Sequence, residues 1–142
     1  MCLSKIDEIA QPFEQGWKKF RKIGNELFPM FSDRKKPLPI GVWLKASDFT
    51  PSYEDAFRLQ SPCGAYDVGF HVFAEKNDAH TFWKLEGGFF SGGASPGRLT
   101  TYKVLCRNMN ATGIGDTGTF PCPSSAKVGV CQEMFIVEED SI

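Results

Sequence analysis

Two histidines and a late glutamate are the residues of this chain best suited to acid–base chemistry. His71 lies in the alternating segment 69–74, and His80 lies in the short apolar-periodic stretch that follows it. The last alternating segment has apolar residues on both predicted faces: Val128, Val130, Met134 and Ile136 on one, and Cys131, Phe135 and Val137 on the other. Gln132 and Glu133 interrupt these opposite faces, so at least one of them is expected to be buried. Because a buried carboxylate needs a hydrogen-bonded or charged partner, we predict that His71 and Glu133 pair, if their strands are neighbours, and favour each other's charged form.

Such a pair has a structural and a functional interpretation. In the first, it is a polar pair that specifies the fold of the core; in the second, it marks a cleft with a ligand contact or a general base. If the cleft binds a small ligand, its expected wall is Tyr66, His71, Trp83 and Glu133, with stacking from the aromatics and polarity from the other two. If the protein has any catalytic activity, His71 and Glu133 are the candidate catalytic residues.

Two motifs of well-known chemistry are better explained as structure. The run "GIGDTG" at 113–118 matches G-x-G-x-x-G, but Pro121 and Pro123 follow where a phosphate-binding helix has to begin, so we predict a turn. No cysteine stands at zinc-ligand spacing from either histidine, and packed histidines are the preferred interpretation. A site assembled from distant segments, such as Cys63 with His71, stays open; we otherwise expect no metal and no cofactor.

The composition predicts one folded domain spanning residues 1–142. The chain is 42% hydrophobic with 13 Phe, which is enough for a core, and its net charge of -1 attracts neither nucleic acid nor an anionic membrane as a whole. The first residues lack a secretory pattern, and no run of about 18 apolar residues is present. Five cysteines without C-x-x-C spacing complete the expectation of a reduced protein in the cytoplasm.

The pattern of apolar residues predicts an α+β fold, with a curved, mostly antiparallel sheet of six or seven strands and one main helix packed on it. A hairpin is expected around Gly24-Asn25, then a strand at 40–45. Segment 47–65 reads as a long connection with one helical turn around 53–57. Segment 69–74 has apolar residues on both faces, which indicates a central strand.

The second half of the chain carries the predicted helix and the last strands. Asn77 is the expected helix cap, Ala79, Phe82 and Trp83 form its apolar stripe, and the helix has to stop by Gly87-Gly88. A glycine-rich surface loop follows at 86–98. Segment 101–107 alternates as a half-exposed strand, with Tyr102, Val104 and Cys106 predicted to face inward and Lys103 and Arg107 outward. It is also a candidate edge for pairing with a second copy, so a homo-oligomer is a possible assembly.

Several stretches resemble a family of small bacteriophage and prophage proteins of unassigned activity. They are "MCLSK" at the start, "GWKKFRK", "KKPLPIGVWLKA", the "GFHVF" strand with its "DA" helix start, and "QEMFI" near the end. The resemblance implies a phage origin and the cytoplasm of an infected host cell. It implies no catalysis.

The order of "GFHVF", a short helix with "DA" and a late glutamate is also similar to compact ADP-ribosyltransferase-like domains. In that family a histidine or tyrosine and a late glutamate surround the nicotinamide, and the resemblance assigns those places to His71 and Glu133. The first motif of the family has no clear counterpart in this chain.

These observations lead to three functional hypotheses. The first is a non-enzymatic, phage-derived binding module that engages a host protein or sequesters a small, nucleotide-like ligand. The second is an ADP-ribosyltransferase-like or NAD-glycohydrolase-like enzyme, and the third is a minor structural virion protein. The absence of a complete catalytic set in the sequence favours the first.

Overall fold

The fold is mostly antiparallel sheet, as a computed structural model shows for residues 3–28, 36–48, 58–61, 64–67, 69–82, 98–116 and 125–137. Seven strands form the main sheet, and two further strands form a separate antiparallel sheet. In chain order the elements are β1 (Leu3–Ile6), β2 (Gln15–Ile23), β3 (Glu26–Phe28), β4 (Trp43–Lys45), a 3₁₀ helix (Ala46–Asp48), β5 (Arg58–Ser61), β6 (Gly64–Asp67), β7 (Phe70–Phe73), α1 (Lys76–Thr81), β8 (Arg98–Asp116) and β9 (Ser125–Ile136).

The main sheet closes on itself through four of its strands. β8 pairs with β2 and also with β9, and β7 pairs with β2 on one side and β9 on the other. The circuit β8–β2–β7–β9–β8 is therefore complete, and β1, β3 and β4 extend it from β8, β2 and β9. A closed sheet has an inside and an outside, so alternating residues of each strand face one or the other.

The strand β8 is 19 residues long, and it serves two parts of the sheet. Residues 98–105 pair with β2, and residues 104–116 pair with β9. Asn108 adopts a left-handed backbone with φ 55°, and the register with β9 shifts between Met109 and Ala111. Such irregularities bend a strand and re-aim its side chains, which explains how one strand reaches both neighbours.

Two apolar clusters lie on the two sides of the sheet. The interior cluster is built by strands from all around the closed sheet: Phe20, Leu27, Leu38, Leu44, Ala46, Phe70, Val72, Tyr102, Val104, Cys106, Met109, Cys131, Met134 and Ile136. The helix-side cluster joins β1 and α1 to the outside of the sheet: Leu3, Phe73, Ala79, Phe82, Ala111, Ala126, Val128 and Val130.

The helix α1 begins before its predicted cap, and it ends before Gly87-Gly88 as predicted. Its N-cap is Glu75 rather than Asn77, and no side chain caps it. Ala79 and Phe82 are buried as predicted, whereas residues from 83 onward lie outside the described part of the chain. Within that part, no helix has the length and apolarity that a bilayer crossing requires.

The predicted strands are largely confirmed, and one inference drawn from them is wrong. The hairpin turns at Gly24 (φ 61°), segment 40–45 contains β4, and segment 69–74 contains β7, which is covered on both faces. Segment 101–107 points Tyr102, Val104 and Cys106 inward as expected. It is not a sheet edge, however, because β8 lies between β2 and β9.

Two connections differ from their sequence interpretation. The end of segment 47–65 forms β5 and the start of β6, which pair with each other. The predicted helical turn falls in residues 49–57, which lie outside the described residues. Residues 86–97 of the glycine-rich loop also lie outside them. Residues 113–116 of "GIGDTG" are extended in β8 rather than turned. Gly113 is required there because a Cβ atom would collide with the Lys5 carbonyl oxygen of β1.

Candidate functional site

The outside of β4, β9 and β8 carries a line of apolar side chains beside a line of charged ones. In the apolar line, Phe135 of β9 lies between Trp43 of β4 and Leu105 of β8. In the charged line, Glu133 of β9 lies between Lys45 of β4 and Arg107 of β8. Their chain neighbours point into the interior cluster, so alternation places these side chains outside. The six residues, called the outer face below, are Trp43, Lys45, Leu105, Arg107, Glu133 and Phe135.

An aromatic–cation stack forms the centre of the outer face. The rings of Trp43 and Phe135 lie 5.5 Å apart at 52°, and the Arg107 guanidinium carbon lies 3.6 Å from the centre of the Trp43 ring. Trp43 and Phe135 are half-buried, Arg107 is exposed, and the adjoining Val42 keeps 47% of its surface exposed. The stack thus holds the guanidinium against the Trp43 ring while the arginine side chain stays exposed to solvent.

Charge on the outer face is predominantly positive. Lys45 and Arg107 flank Glu133, and Lys103 follows by alternation along β8. The Glu133 carboxylate accepts a hydrogen bond of 2.8 Å from the Asn108 side-chain amide. Asn108 can reach it because its left-handed backbone turns the side chain across to β9.

The predicted pairing of His71 with Glu133 is wrong. Their strands are neighbours as expected, but His71 lies opposite Val130, three residues before Glu133, or roughly 10 Å along a strand. Neither a hydrogen bond nor an ion pair joins the two side chains, and the carboxylate is bound to Asn108 instead. Spacing within each segment did not fix the register between them, and the register decides which residues meet.

His71 lies in an environment that keeps its imidazole neutral. Burial and the nearby positive charge of Lys18 lower the pKa of His71 to about 3. A hydrogen bond with the backbone of Gly69 raises this pKa, but it offsets the lowering only in part. A paired carboxylate would have raised that pKa. Its side chain shares the helix side of β7 with Phe73, and its carbonyl oxygen accepts a hydrogen bond of 2.7 Å from Lys18 Nζ.

The predicted ligand wall is not assembled from the described residues. Tyr66 belongs to β6 of the separate hairpin, opposite Leu59 of β5, and Trp83 lies outside the described residues. His71 and Glu133 occupy separate positions on the main sheet. The ligand wall of Tyr66, His71, Trp83 and Glu133 therefore stays a prediction.

A second group of chemistry-bearing side chains lies inside the closed sheet. Cys106 of β8 and Cys131 of β9 are both buried free thiols in the interior cluster, and a hydrogen bond joins them. Lys18 of β2 alternates with the interior residue Phe20, and its charge acts on both thiols. We call Lys18, Cys106 and Cys131 the thiol–lysine cluster.

The three members of the thiol–lysine cluster perturb one another. Burial lowers the pKa of Lys18 to about 8, although the neighbouring thiols oppose this shift. The hydrogen bond between the thiols, together with burial, raises the pKa of Cys106, and the same bond lowers the pKa of Cys131. The Lys18 ammonium, which donates a hydrogen bond to the His71 carbonyl oxygen, is thus electrostatically coupled to both thiols.

The sequence contained part of the signal for both sites. Alternation in segment 101–107 placed Arg107 outward and Cys106 inward, and both placements are confirmed. The stack on Trp43 and the approach of Lys18 were missed, because both depend on which strands are neighbours. No motif records that information.

No known protein family, no curated protein and no solved structure matches this chain. The outer face is therefore interpreted from the geometry of the chain itself.

Proposed function

We propose that the protein is a non-enzymatic binding module that engages a partner protein through the outer face. The observation that carries the proposal is the stack of Arg107 on Trp43 beside Phe135, at the centre of the outer face. Tryptophan, tyrosine and arginine dominate the energetics of protein interfaces, where aromatic anchors lie inside a polar rim. The phage resemblance makes a host protein the partner.

The shape of the outer face favours a protein over a small ligand. Small-molecule sites are concave and enclose most of the ligand surface. The outer face lies on the outside of a closed sheet, and the outside of such a sheet is convex. A flat or grooved macromolecular surface fits it better than a nucleotide does.

The charge on the outer face specifies the kind of segment it accepts. Among the described residues, Lys45 and Arg107 of the outer face and the neighbouring Lys103 outnumber the Glu133 carboxylate, which already accepts a hydrogen bond from Asn108. Complementarity therefore calls for an acidic segment with an aromatic or aliphatic anchor. Nucleic acid is disfavoured, because Glu133 lies between two of the cations and would face phosphate.

Peptide display tests this assignment. Displayed twelve-residue peptides that combine Asp or Glu with Phe, Tyr or Leu are selected on the immobilised protein, alongside a matched pool with Lys in place of the acidic residues. We expect enrichment of the acidic pool only, and affinities of the selected peptides at least about tenfold weaker for Trp43→Ala and Arg107→Glu. Biolayer interferometry measures the affinities.

Matched variants separate the outer face from general surface effects. Lys127→Glu removes another exposed cation that lies near an aromatic ring, and Ile9→Ala removes a side chain that is 81% exposed; neither should change the affinity. Failure to enrich either pool would refute the proposal. Tighter binding of a single-stranded oligonucleotide, lost in Arg107→Glu, would reassign the outer face to nucleic acid.

The enzymatic alternative has its own test. If the protein consumes labelled NAD and Glu133→Gln abolishes that activity, the binding-module proposal is replaced. The separation of His71 from Glu133 and the neutral imidazole give the enzyme hypothesis no support.

A further inference from the structure

The segment between β1 and β2, residues 7–14 and called the strap below, is fixed against β8. Two of its amides bond to one residue: the Asp7 amide donates to the Thr112 carbonyl oxygen (2.9 Å), and the Gln11 amide donates to the Thr112 hydroxyl (2.8 Å). That hydroxyl donates in turn to the Asp7 carboxylate (2.7 Å). At the far end, the Glu14 carbonyl oxygen accepts a hydrogen bond of 2.7 Å from an amide of β8. The strap is therefore held at both ends in one conformation.

The strap exposes an apolar side chain among carboxylates. Ile9 keeps 81% of its surface exposed, and it lies at a bend of the strap. The carboxylates of Glu8 and Glu14 are exposed on the same segment, which contains no lysine and no arginine. The strap is thus an acidic segment with an aliphatic anchor. That is the kind of segment for which the outer face is complementary.

Among the described residues, the exposed large apolar side chains are Ile9 and Val42. One exposed apolar residue is ordinary on a protein surface. These two, however, lie on surfaces of opposite charge, because Ile9 belongs to the acidic strap and Val42 adjoins the outer face with its cations Lys45 and Arg107. Apolar anchors surrounded by complementary charge are typical of protein interfaces.

The strap does not serve the outer face of its own chain. The large exposed fraction of Ile9 shows that its side chain is not docked there, and the hydrogen bonds to β8 keep the strap in place. A second copy can present its outer face to the strap without either surface rearranging. Because both surfaces are already ordered, docking costs little conformational entropy.

We propose that the strap of one copy docks on the outer face of a second copy, with Ile9 against the aromatic rings and Glu8 facing the cations. This inference rests on the function proposed for the outer face, and it adds a regulation of that function. Self-association occupies the outer face until an acidic segment of the partner protein displaces the strap. The contact differs from the strand pairing expected from the sequence, since segment 101–107 is not a sheet edge.

Two variants isolate a single contact of this kind. Ile9→Ser removes the anchor of the strap and keeps the outer face, whereas Arg107→Glu reverses a charge of the outer face and keeps the strap. Both side chains are exposed, so neither substitution leaves a cavity. We expect soluble Arg107→Glu to bind immobilised Ile9→Ser in biolayer interferometry, and each variant to bind itself at least about tenfold more weakly.

Charge variants test the electrostatic part of the contact. Glu8→Lys, added to the soluble Arg107→Glu protein, should weaken its binding to immobilised Ile9→Ser at least about fivefold. Glu26→Lys is the matched control, because Glu26 is an exposed carboxylate of the β2–β3 hairpin, and it should leave the binding unchanged. Raising the salt concentration from about 0.05 M to about 0.5 M should also weaken the contact. Circular dichroism verifies that each variant is folded.

The regulation is tested on the wild-type protein. Sedimentation velocity should show association that increases with protein concentration and that Ile9→Ser abolishes. An acidic peptide selected on the outer face should dissociate the wild-type assembly, whereas its lysine-substituted counterpart should not. An assembly that persists at saturating acidic peptide would contradict the proposed regulation.

The same immobilised Ile9→Ser protein separates this inference from the function on which it rests. If it binds a selected acidic peptide but not soluble Arg107→Glu, self-association is wrong and the proposed function stands. If it binds neither, the outer face is not a docking site. If soluble Arg107→Glu binds immobilised Arg107→Glu equally well, the contact between copies lies elsewhere on the surface.

Discussion

At the scale of single residues, the neutral His71 makes the stability of the fold depend on pH. Its pKa falls from the ordinary 6.5 to about 3 on folding, so between these values the unfolded chain binds a proton that the folded chain does not. Stability is therefore fully present above pH 6.5 and is lost as pH falls toward 3. The loss amounts to about 1.4 kcal/mol for each pH unit in that window.

Replacing His71 by glutamine should remove this dependence. We expect the free energy of unfolding of the wild-type protein to fall between pH 6.5 and pH 4 by about 3 kcal/mol more than that of His71→Gln. Urea denaturation at several pH values measures both slopes. Parallel slopes would show that the imidazole titrates normally in the folded protein.

The sequence located His71 correctly but gave it the wrong partner. Alternation was sufficient to place it on a central strand with two covered faces. Its neighbours across the sheet are set by hydrogen-bond register with β9, where Val130 rather than Glu133 stands opposite. Lys18, which determines much of its electrostatic environment, is 53 residues away in the chain.

At the scale of elements, the helix α1 depends on a lysine from the sheet. A helix of six residues is too short to be stable by itself. Lys19 of β2 is buried, and its Nζ donates hydrogen bonds to the carbonyl oxygens of His80 (2.6 Å) and Phe82 (3.0 Å) at the C-terminal end of α1. A cation at that end also favours the helix dipole.

Removal of this ammonium should loosen the helix. Lys19→Met removes both of these hydrogen bonds from the charged ammonium, and we expect a loss of about 1–3 kcal/mol in unfolding free energy, with faster amide hydrogen exchange at Ala79 and Phe82. The matched control Lys76→Met removes an exposed lysine at the start of α1 that lies 4.8 Å from the Trp17 ring, and should cost below about 1 kcal/mol. Equal effects would place the support of α1 elsewhere.

Most strands were predictable because apolar alternation is a local signal. The last strand shows where the signal fails: Val128 and Val130 lie in the helix-side cluster as one face, but Met134 and Ile136, which alternation assigned to that face, join Cys131 in the interior. The change of face occurs across Gln132 and Glu133, next to the irregular backbone of Asn108. Alternation assumes a regular strand and cannot anticipate that irregularity.

At the scale of the whole molecule, closure of the sheet depends on a tight approach of β2 to β7. Trp17 opposite Phe73 is the pairing that joins these strands, and Gly16 precedes it. A Cβ at Gly16 would lie 2.5 Å from both the Phe73 carbonyl oxygen and a Val72 methyl group. The absence of a side chain is therefore what allows the strands to meet.

Adding one methyl group at Gly16 should weaken the entire fold. We expect Gly16→Ala to lower the unfolding free energy by about 1–3 kcal/mol, because backbone and buried side chain have to move. Gly24→Ala is the control: its φ of 61° causes conformational strain, but no atom lies within 4 Å of the added Cβ. In thermal unfolding, the Tm of Gly16→Ala should lie below that of Gly24→Ala. The opposite order would contradict the steric explanation.

The mostly antiparallel sheet was predictable; its closure was not, and the predicted main helix is a single short helix of six residues among the described residues. A curved, mostly antiparallel sheet follows from short alternating segments and turn residues. The circuit through β8 needs pairings between segments far apart in the chain, and such pairings leave no local trace. The same limit explains why the outer face, assembled from three strands, was not among the predicted sites.

The position of β8 late in the chain has a consequence for biosynthesis. β1 pairs with residues 113–115 and β2 with residues 98–105, so the strands that leave the ribosome first have to wait for their neighbours. Contacts this remote in sequence slow folding, because closing such long loops costs conformational entropy before the strand pairing can compensate for it. We expect nascent chains arrested before β8 to remain open to proteases, and protection to arise in one step when β9 has emerged.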